Sequence, residues 1–481
     1  MGTIMAGEIY TSANPQYTPQ ELAHQLRLTD PAVVLTAELL WEKAVKGAEL
    51  AAMSTDKLYL FAEPSWDNSP YSTPVDTHDR QGFSELLVSA DIGAKFEWEE
   101  LNTPQKSSRG ALLLFSSGTT GSPKGVEVSH YAIVANMAQL NIMRTLTKSK
   151  PASCYNKKGL GCLPMYHAFG LFHYTFILPK AGVEAYLMER WNVDEVLTHI
   201  QNFKITELVM VPPMVLAMVK HPQIHQFDLS NVRKVSVGAA PLGRELTTQF
   251  ESLWKGGVRI RQVWGMSEQP VMTTCWHEDD ALEPSSTSVG ELIPGCEAII
   301  MRPDGTEETR VRERGEIWMR GPNIMNGYWR NSEATKGTIN DQGWLMTGDV
   351  AFVDEHGRFH IVDRIKELIK VKGAQVAPAE LEATLLEHVK VVDVAVVGVR
   401  TEADNELPRA YIVRQDKTLT SASLLTWANG RLSKYKRITG GFIFVDSIPK
   451  SPSGKILRRE LRERARNESP GEVSPEIMSK I

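Results

Sequence analysis

SSGTTGSPKG, residues Ser116–Gly125, is the stretch on which the reading of this chain turns. It holds the hydroxyl pairs Ser116-Ser117 and Thr119-Thr120, the glycines Gly118, Gly121 and Gly125, and Lys124 behind a stiffening Pro123. Glycine lets backbone N–H groups approach an anion closely, and Ser and Thr hydroxyls add donors. A lysine ammonium is a compact point charge suited to phosphate. The apolar run Ala111–Phe115 precedes the loop and Val126-Glu127-Val128 follows it, so both flanks read as strands. Ser/Gly-rich loops are commonly no more than turns. No Gly-Lys-Ser/Thr closes this one, so it is not a Walker A loop.

Composition narrows the setting. A chain of 481 residues exceeds what one core usually supports, which predicts two or more domains. A net charge of −5 offers no electrostatic case for nucleic acid. Cysteines at 154, 162, 275 and 296 have no metal-ligand spacing and are too sparse for a disulfide framework. The apolar stretch Ile205–Val219 is broken by Glu207, Pro212 and Pro213, so no membrane span is expected. The first residues lack the charged and apolar regions of a signal peptide. They read as the inside of a domain: an apolar strand, a turn at Asn14-Pro15, and a helix from about Thr18-Pro19. The chain ends Ser479-Lys480-Ile481, one conservative step from the peroxisomal tripeptide Ser-Lys-Leu. We read it as an address for the peroxisomal import receptor; without it, the expectation is cytoplasmic.

Working outward from the loop, residues 20–61 alternate helix-like stretches (Glu21–Leu28, Glu38–Ala52) with short apolar strands (Ala32–Leu35, Lys57–Phe61). That rhythm predicts parallel sheet covered by helices. Residues 64–80 read as a surface loop. A second α/β run spans Val193–Arg261, with strands Glu207–Val211 and Lys234–Val237 and a helix Met214–Lys220. From about 288 to 362 short strands separated by turns predict antiparallel sheet or barrel. Beyond the charged stretch Asp363-Arg364-Ile365-Lys366-Glu367 a compact α/β sequence follows: helix Pro378–His388, strands Val394–Val399 and Arg409–Val413, helix Ser421–Leu432. The expected fold is therefore α/β: a large N-terminal domain, 1–363, of parallel α/β sheets with an antiparallel, barrel-like subdomain; a hinge, 364–366; a small mobile α+β domain, 367–466; and a tail, 467–481.

Further segments concentrate unusual chemistry. CLPMYHAFG, Cys162–Gly170, sets His167 among aromatics, where a histidine is more often packed core. Gly238-Ala239-Ala240-Pro241-Leu242 is a strand-to-helix turn. QVWGMSE, Gln262–Glu268, offers the aromatic Trp264, the open Gly265 and the carboxylate of Glu268, a Mg²⁺ ligand only if a triphosphate lies nearby. GWLMTGD places Asp349 where it is either a turn residue or an acceptor for two ribose hydroxyls. PKSPSGK, Pro449–Lys455, is a tight loop with Lys455 protruding.

The order SSGTTGSPKG, LPMYHAFG, GAAPLG, WGMSE, GYW, WLMTGD, VDRIKELIKVKG, PKSPSGK resembles the adenylate-forming superfamily across essentially the whole chain. Within it the chain is similar to the 4-coumarate–CoA ligases, acyl-CoA ligases and beetle luciferases. The resemblance implies an enzyme that uses ATP and Mg²⁺. A carboxylate attacks the α-phosphorus to give an acyl-adenylate and pyrophosphate, and the thiol of coenzyme A then displaces AMP. It implies that Ser116, Ser117, Gly118, Thr119, Thr120, Gly121 and Lys124 grip the ATP phosphates. Gly238, Ala239 and Ala240 would line the adenine and acyl sites, Trp264 would stack on adenine beside Gly265, and Glu268 would hold Mg²⁺. Asp349 and Arg364 would bind the ribose, Lys455 would bridge carboxylate and α-phosphate, and His167 would lie near the acyl carbonyl. Lys366 would be the hinge about which the small domain swings; Lys370 would then approach in place of Lys455 to form the thiol site. Gln375 joins the nucleotide-binding set.

Departures from that pattern are informative. Trp264 stands where Tyr is usual, and Phe169 where the coumarate-type enzymes carry a Tyr that meets the ring phenol. A buried phenol without a partner costs about 1–3 kcal/mol, which tilts the substrate toward medium-chain, polyenoic or unsubstituted aryl acids. His173 could also face the pocket. The segment after Glu268, Gln269-Pro270-Val271, is one residue shorter than usual. Family members also carry several dozen residues before the segment that begins here at Met1, so a shortened N-terminus and reduced stability are expected. A non-catalytic homologue and a luciferase-type adenylating oxygenase stay open as alternatives.

Overall fold

The computed structural model describes residues 1–61, 80–116, 123–145, 156–254, 256–277, 280, 282–371, 374–400, 406–451 and 454–468. Ser117, Gly118, Thr119, Thr120 and Gly121, all but the last residue of the surface loop read at 64–80, and the terminal Ser479-Lys480-Ile481 lie outside them.

The strands flanking the Ser/Gly-rich loop form an antiparallel hairpin. Gly110–Ser116 pairs with Lys124–Ser129, with Leu114 opposite Val126 and Ser116 opposite Lys124. Tyr10–Thr11 runs parallel to the first strand, and Gly327–Tyr328 antiparallel to the second, completing a four-stranded sheet. Ala111, Leu112, Val126 and Val128 are fully buried, so the base of the loop is held by core packing. Gly2–Met5 is a short helix, and the strand expected ahead of Asn14-Pro15 is confined to Tyr10–Thr11. Gly7, at φ +84°, turns the chain before it reaches the sheet, leaving only Tyr10–Thr11 extended.

The next helix, Pro19–Thr29, opens with a capping box: Glu21 N–H donates to Thr18 Oγ1 and Thr18 N–H donates to Glu21. Val34–Thr36 and Leu58–Leu60 pair in parallel, as their rhythm predicts. A separate five-stranded sheet is all parallel, in the order Ile260–Gln262, Lys234–Val237, Glu207–Met210, Lys158–Gly161, Glu184–Leu187. Helices Val193–Phe203, Pro212–Val219 and Arg244–Glu251 accompany it, burying Ile200, Val215 and Phe250 completely. The second helix begins two residues before the expected Met214, because proline is favoured in the first helical turn. In such sheets the strand C-termini gather the loops that meet a ligand.

The antiparallel part comprises a three-stranded sheet (Trp264–Met266, Gln269–Cys275, Glu291–Leu292) and a four-stranded one (Glu297–Met301, Gly315–Arg320, Leu345–Val353, Phe359–Arg364). A bridge between Gly290 and Phe359 joins them. After Arg364 come a hairpin, Ile369–Val371 with Ala374–Val376, the helix Pro378–Leu386, the strands Val391–Arg400, Glu406–Arg414 and Phe442–Phe444, and the helix Arg458–Asn467. This C-terminal part has its own core, in which Leu381, Leu385, Val396 and Ile412 are fully buried. Among the described residues, no helix is long and apolar enough to cross a membrane.

The two parts meet closely. A Cβ on Gly243 would stand 2.7 Å from the Ala383 methyl. Asp363, at the end of the last large-sheet strand, accepts the backbone N–H of Ala379 at 3.0 Å, in the first turn of the helix Pro378–Leu386. That helix has no side-chain cap at Ala377, so Asp363 supplies one from across the joint.

Candidate active site

Strand ends and inter-element turns build a cavity of about 500 Å³ against which His167, Gly238, Glu268, Arg364 and Lys455 converge. It adjoins a second cavity of about 480 Å³ between the large and small parts, which adds Ala240, Trp264 and Asp349. Ala239, Gly265, Arg364 and Lys455 line both. The strand Lys234–Val237 delivers Gly238 and Ala239 to the wall. Ala239 adopts φ +73°, a left-handed conformation costly for a residue with a side chain, at the point where the chain turns towards the helix. At Gly238 a Cβ would come within 3.2 Å of the Phe169 ring, so the glycine is what lets that aromatic close on the strand end.

Asp349 sits on the strand Leu345–Val353, directly opposite Arg364 on its neighbour. It is buried. Its Oδ2 accepts the indole N–H of Trp264 at 2.8 Å, and Arg364 Nε lies 3.2 Å from Oδ1. Oδ1 has no aligned hydrogen bond, so acceptor capacity remains on the cavity side. The bond to Asp349 fixes the orientation of the Trp264 ring.

Glu268 is also buried, and accepts the Tyr328 hydroxyl at 2.9 Å. Lys124 Nζ lies over the same Tyr328 ring, 4.7 Å from its centre. Burial, then the charge of Glu268, pushes the Tyr328 phenol well above its usual range, so it stays a donor. One tyrosine thus links the cation of the Ser/Gly-rich loop to the candidate metal ligand. The motif GYW was visible in the sequence, but without a role for its tyrosine. Among the described residues no three His, Cys, Asp or Glu side chains form a metal cage. Glu268 fits Mg²⁺ only as a single carboxylate shared with phosphate oxygens, the usual manner for that ion at a nucleotide.

Lys455 arrives from the C-terminal part. Its loop is closed by Ser451 N–H to the Lys455 carbonyl (2.8 Å), by Lys455 N–H to Ser451 Oγ (3.2 Å) and by Gly454 at φ +80°. Surrounding protein, and then the positive charge of Arg364, lower the Lys455 pKa to about 8, against the opposing pull of Asp349, Glu367 and Glu268. His167 precedes the short helix Ala168–Phe172. Burial and the Lys455 charge lower its pKa to about 4, so the imidazole is neutral. Its Nε2 is buried with no hydrogen-bond partner, which leaves it for a ligand.

Lys366 is exposed at the rim of the same cavity. Lys370 and Gln375 are not brought to it. They face each other in register in the hairpin Ile369–Val371/Ala374–Val376, both exposed, with Lys370 N–H bonded to Glu406 at 2.8 Å. The short segment after Glu268 is strained. Val271 takes φ +89°, exceptional for a β-branched residue, and its carbonyl crowds Gly265, where a Cβ would lie 2.0 Å from the Val271 oxygen.

Past Phe169 and Val263, which line both spaces, a third cavity of about 90 Å³ runs beside the parallel sheet. His173 faces it.

Comparison with known proteins bears on this geometry directly. Residues 1–329 match the model of the AMP-binding enzyme family, and residues 380–455 that of the AMP-binding enzyme C-terminal domain. The chain belongs to the AMP-binding enzyme family. Like other members, this AMP-binding enzyme is related along most of its length. It is 36% identical over 465 residues to the probable 4-coumarate–CoA ligase 1 of Dictyostelium discoideum, covering 96% of this chain and 82% of that protein. It is 35% identical over 471 residues to the phenylacetyl-CoA ligase epaB of Aspergillus niger, covering 96% and 84%. Among solved structures it resembles ATP-bound MatB from Rhodopseudomonas palustris, with a TM-score of 0.77 at 26% identity, covering 97% of this chain and 85% of that one.

Proposed function

We propose that this AMP-binding enzyme is an ATP-dependent acid–thiol ligase that activates a carboxylic acid as its acyl-adenylate and transfers the acyl group to coenzyme A. The observation that carries the reading is Lys455: an ammonium from the small domain, set beside Asp349, Arg364, Glu268 and His167 of the large one. Attack of a carboxylate on the α-phosphorus brings two anions together, and a fixed cation between them favours the transition state most. Asp349 Oδ1, which has no aligned hydrogen bond and Arg364 beside it, would accept ribose hydroxyls. Glu268, aligned by Tyr328, would hold Mg²⁺ against the phosphates, and the ion would neutralise charge on the departing pyrophosphate. His167, neutral and with Nε2 free, can donate to the acyl carbonyl.

Phe169 lines the passage between the two cavities and brings no hydroxyl to meet a phenol there, which disfavours a 4-hydroxycinnamate. Names such as phenylacetyl-CoA ligase among the relatives support an aryl acid. The carboxyl-terminal Ser479-Lys480-Ile481 supports peroxisomal import.

Acid-dependent pyrophosphate release, with and without coenzyme A, tests the activity. Lys455→Ala is expected to lower it by roughly 10²–10³-fold, the scale of losing one preorganised charge contact. Thioester formation from supplied acyl-adenylate should survive. No release with any acid from folded protein would establish the non-catalytic alternative. For localisation, an amino-terminal fluorescent fusion should be punctate and become cytosolic when Ser479–Ile481 is deleted; puncta that persist refute the address.

A further inference from the structure

The third cavity has largely apolar walls and three cations among its lining residues. Leu140, Phe169, Leu178, Val183 and Met272 line it, together with Arg144, Lys234 and Arg261. Arg144 lies near the end of the helix His130–Thr145, half-buried on the cavity wall. It makes no hydrogen bond or ion pair among the described residues. The other two cations are engaged with the protein: Arg261 donates to the His277 carbonyl at 2.5 Å, and Lys234 stands across from Glu207 in the parallel ladder. Glu207, the one carboxylate on the wall among the described residues, pairs with Lys157 at 3.7 Å. His173, half-buried on the same wall, is held neutral by desolvation first and by the charges of Lys234 and Arg144 next.

A guanidinium facing an apolar cavity with no partner is poorly solvated, and a carboxylate is the group that its planar fork matches. The cavity also has a direction. Its throat, at Phe169 and Val263, opens beside Gly238 in the catalytic cavity, and its wall runs back along the strand past Ser236 to Lys234. From Gly238 back to Lys234 is four strand residues, roughly 13 Å.

We propose that the acid carries a second carboxylate at its far end, separated from the reacting one by an apolar stretch, and that Arg144 recognises it. This rests on the ligase reading above. The lining accounts for an anionic distal group: three cations stand against one carboxylate on the described wall, and of the three Arg144 is the one that makes no hydrogen bond or ion pair among the described residues.

The test is pyrophosphate release with linear monocarboxylic acids and the α,ω-dicarboxylic acids of the same carbon numbers, short to long. For the longer pairs the wild-type chain should favour the dicarboxylate in kcat/KM by about tenfold or more. Arg144→Leu should erase that preference chiefly through KM of the dicarboxylate, while monocarboxylates are turned over as before; Arg144→Lys should retain part of it. A wild-type preference for monocarboxylates at every length overturns the proposal, as does an unchanged ratio in Arg144→Leu. Should Arg144→Leu not fold, the wild-type ratio and Arg144→Lys decide. Failure of both acid classes, with no pyrophosphate released, defeats the ligase reading and this inference with it.

Discussion

Lys455 shows at the scale of one residue how surroundings set reactivity. An ordinary lysine titrates at 10.5; here the protein around the ammonium and the neighbouring Arg364 bring it to about 8. In the role proposed for it the amine must be protonated, so kcat/KM should fall as pH rises through about 8. The fall in kcat should lie higher, because bound phosphate and carboxylate favour the ammonium. The sign for stability is opposite: a lysine lowered on folding costs stability below about 8, and the cost is relieved as pH climbs toward 10.5. His167, at about 4, is neutral throughout and adds no limb near neutrality. A pH–rate profile of pyrophosphate release, flat through about 8, would contradict the role given to Lys455. The lysine was legible in PKSPSGK because a tight loop that presents one charge is a local pattern. Arg144 was not legible: a cation near a helix C-terminus reads as an ordinary dipole partner, and only the cavity beside it gives it meaning.

At the scale of elements, glycine positions decide how closely segments approach. Gly454, at φ +80°, docks the Lys455 loop on the start of the helix Pro212–Val219; a Cβ there would lie 2.9 Å from the Pro213 ring and 3.1 Å from Val211. Gly454→Ala therefore meets both backbone strain and a clash, together worth about 1–3 kcal/mol against the docked arrangement. Adenylation should drop by roughly 5- to 150-fold with the thermal midpoint nearly unchanged, because the clash is at a joint and not in a core. A large fall in the midpoint, measured by differential scanning fluorimetry, would argue that the loop is part of folding itself. Element existence was well legible here: strands on both sides of the Ser/Gly-rich loop, the parallel run up to Arg261, and the small α/β sequence after Asp363 all follow from periodicity. The brief helix at Gly2–Met5 was not, since a four-residue stretch has no periodicity to read. Val271 at φ +89° was foreshadowed only as a segment one residue too short.

For the whole molecule, a buried and charged joint docks the two parts on each other. Asp363 is buried at the joint, accepts N–H groups from Arg364 and Ala379, and faces Arg458, which grips Glu382 with bonds of 2.8 and 2.7 Å. Arg462, on the last helix, donates to Glu367 at 2.6 Å. Removing the carboxylate in Asp363→Ala leaves the Ala379 N–H unmet, a loss of about 1–3 kcal/mol that falls on this docked arrangement. Adenylation should decline while thioester formation from supplied acyl-adenylate does not; equal losses in both half-reactions would show that Asp363 serves stability alone.

The sequence by itself determined the chemistry of each motif and the order of the elements, because hydroxyl, glycine and charge spacing and hydrophobic period are local properties of the chain. Only the tertiary structure decided which of those groups share one cavity. Lys124, Tyr328 and Glu268 form a line, and Trp264, Asp349 and Arg364 a cluster, whereas Lys370 and Gln375 stand apart in their hairpin. Such meetings depend on strand register and on the docking of two separately packed cores, and neither is encoded in any short window of sequence.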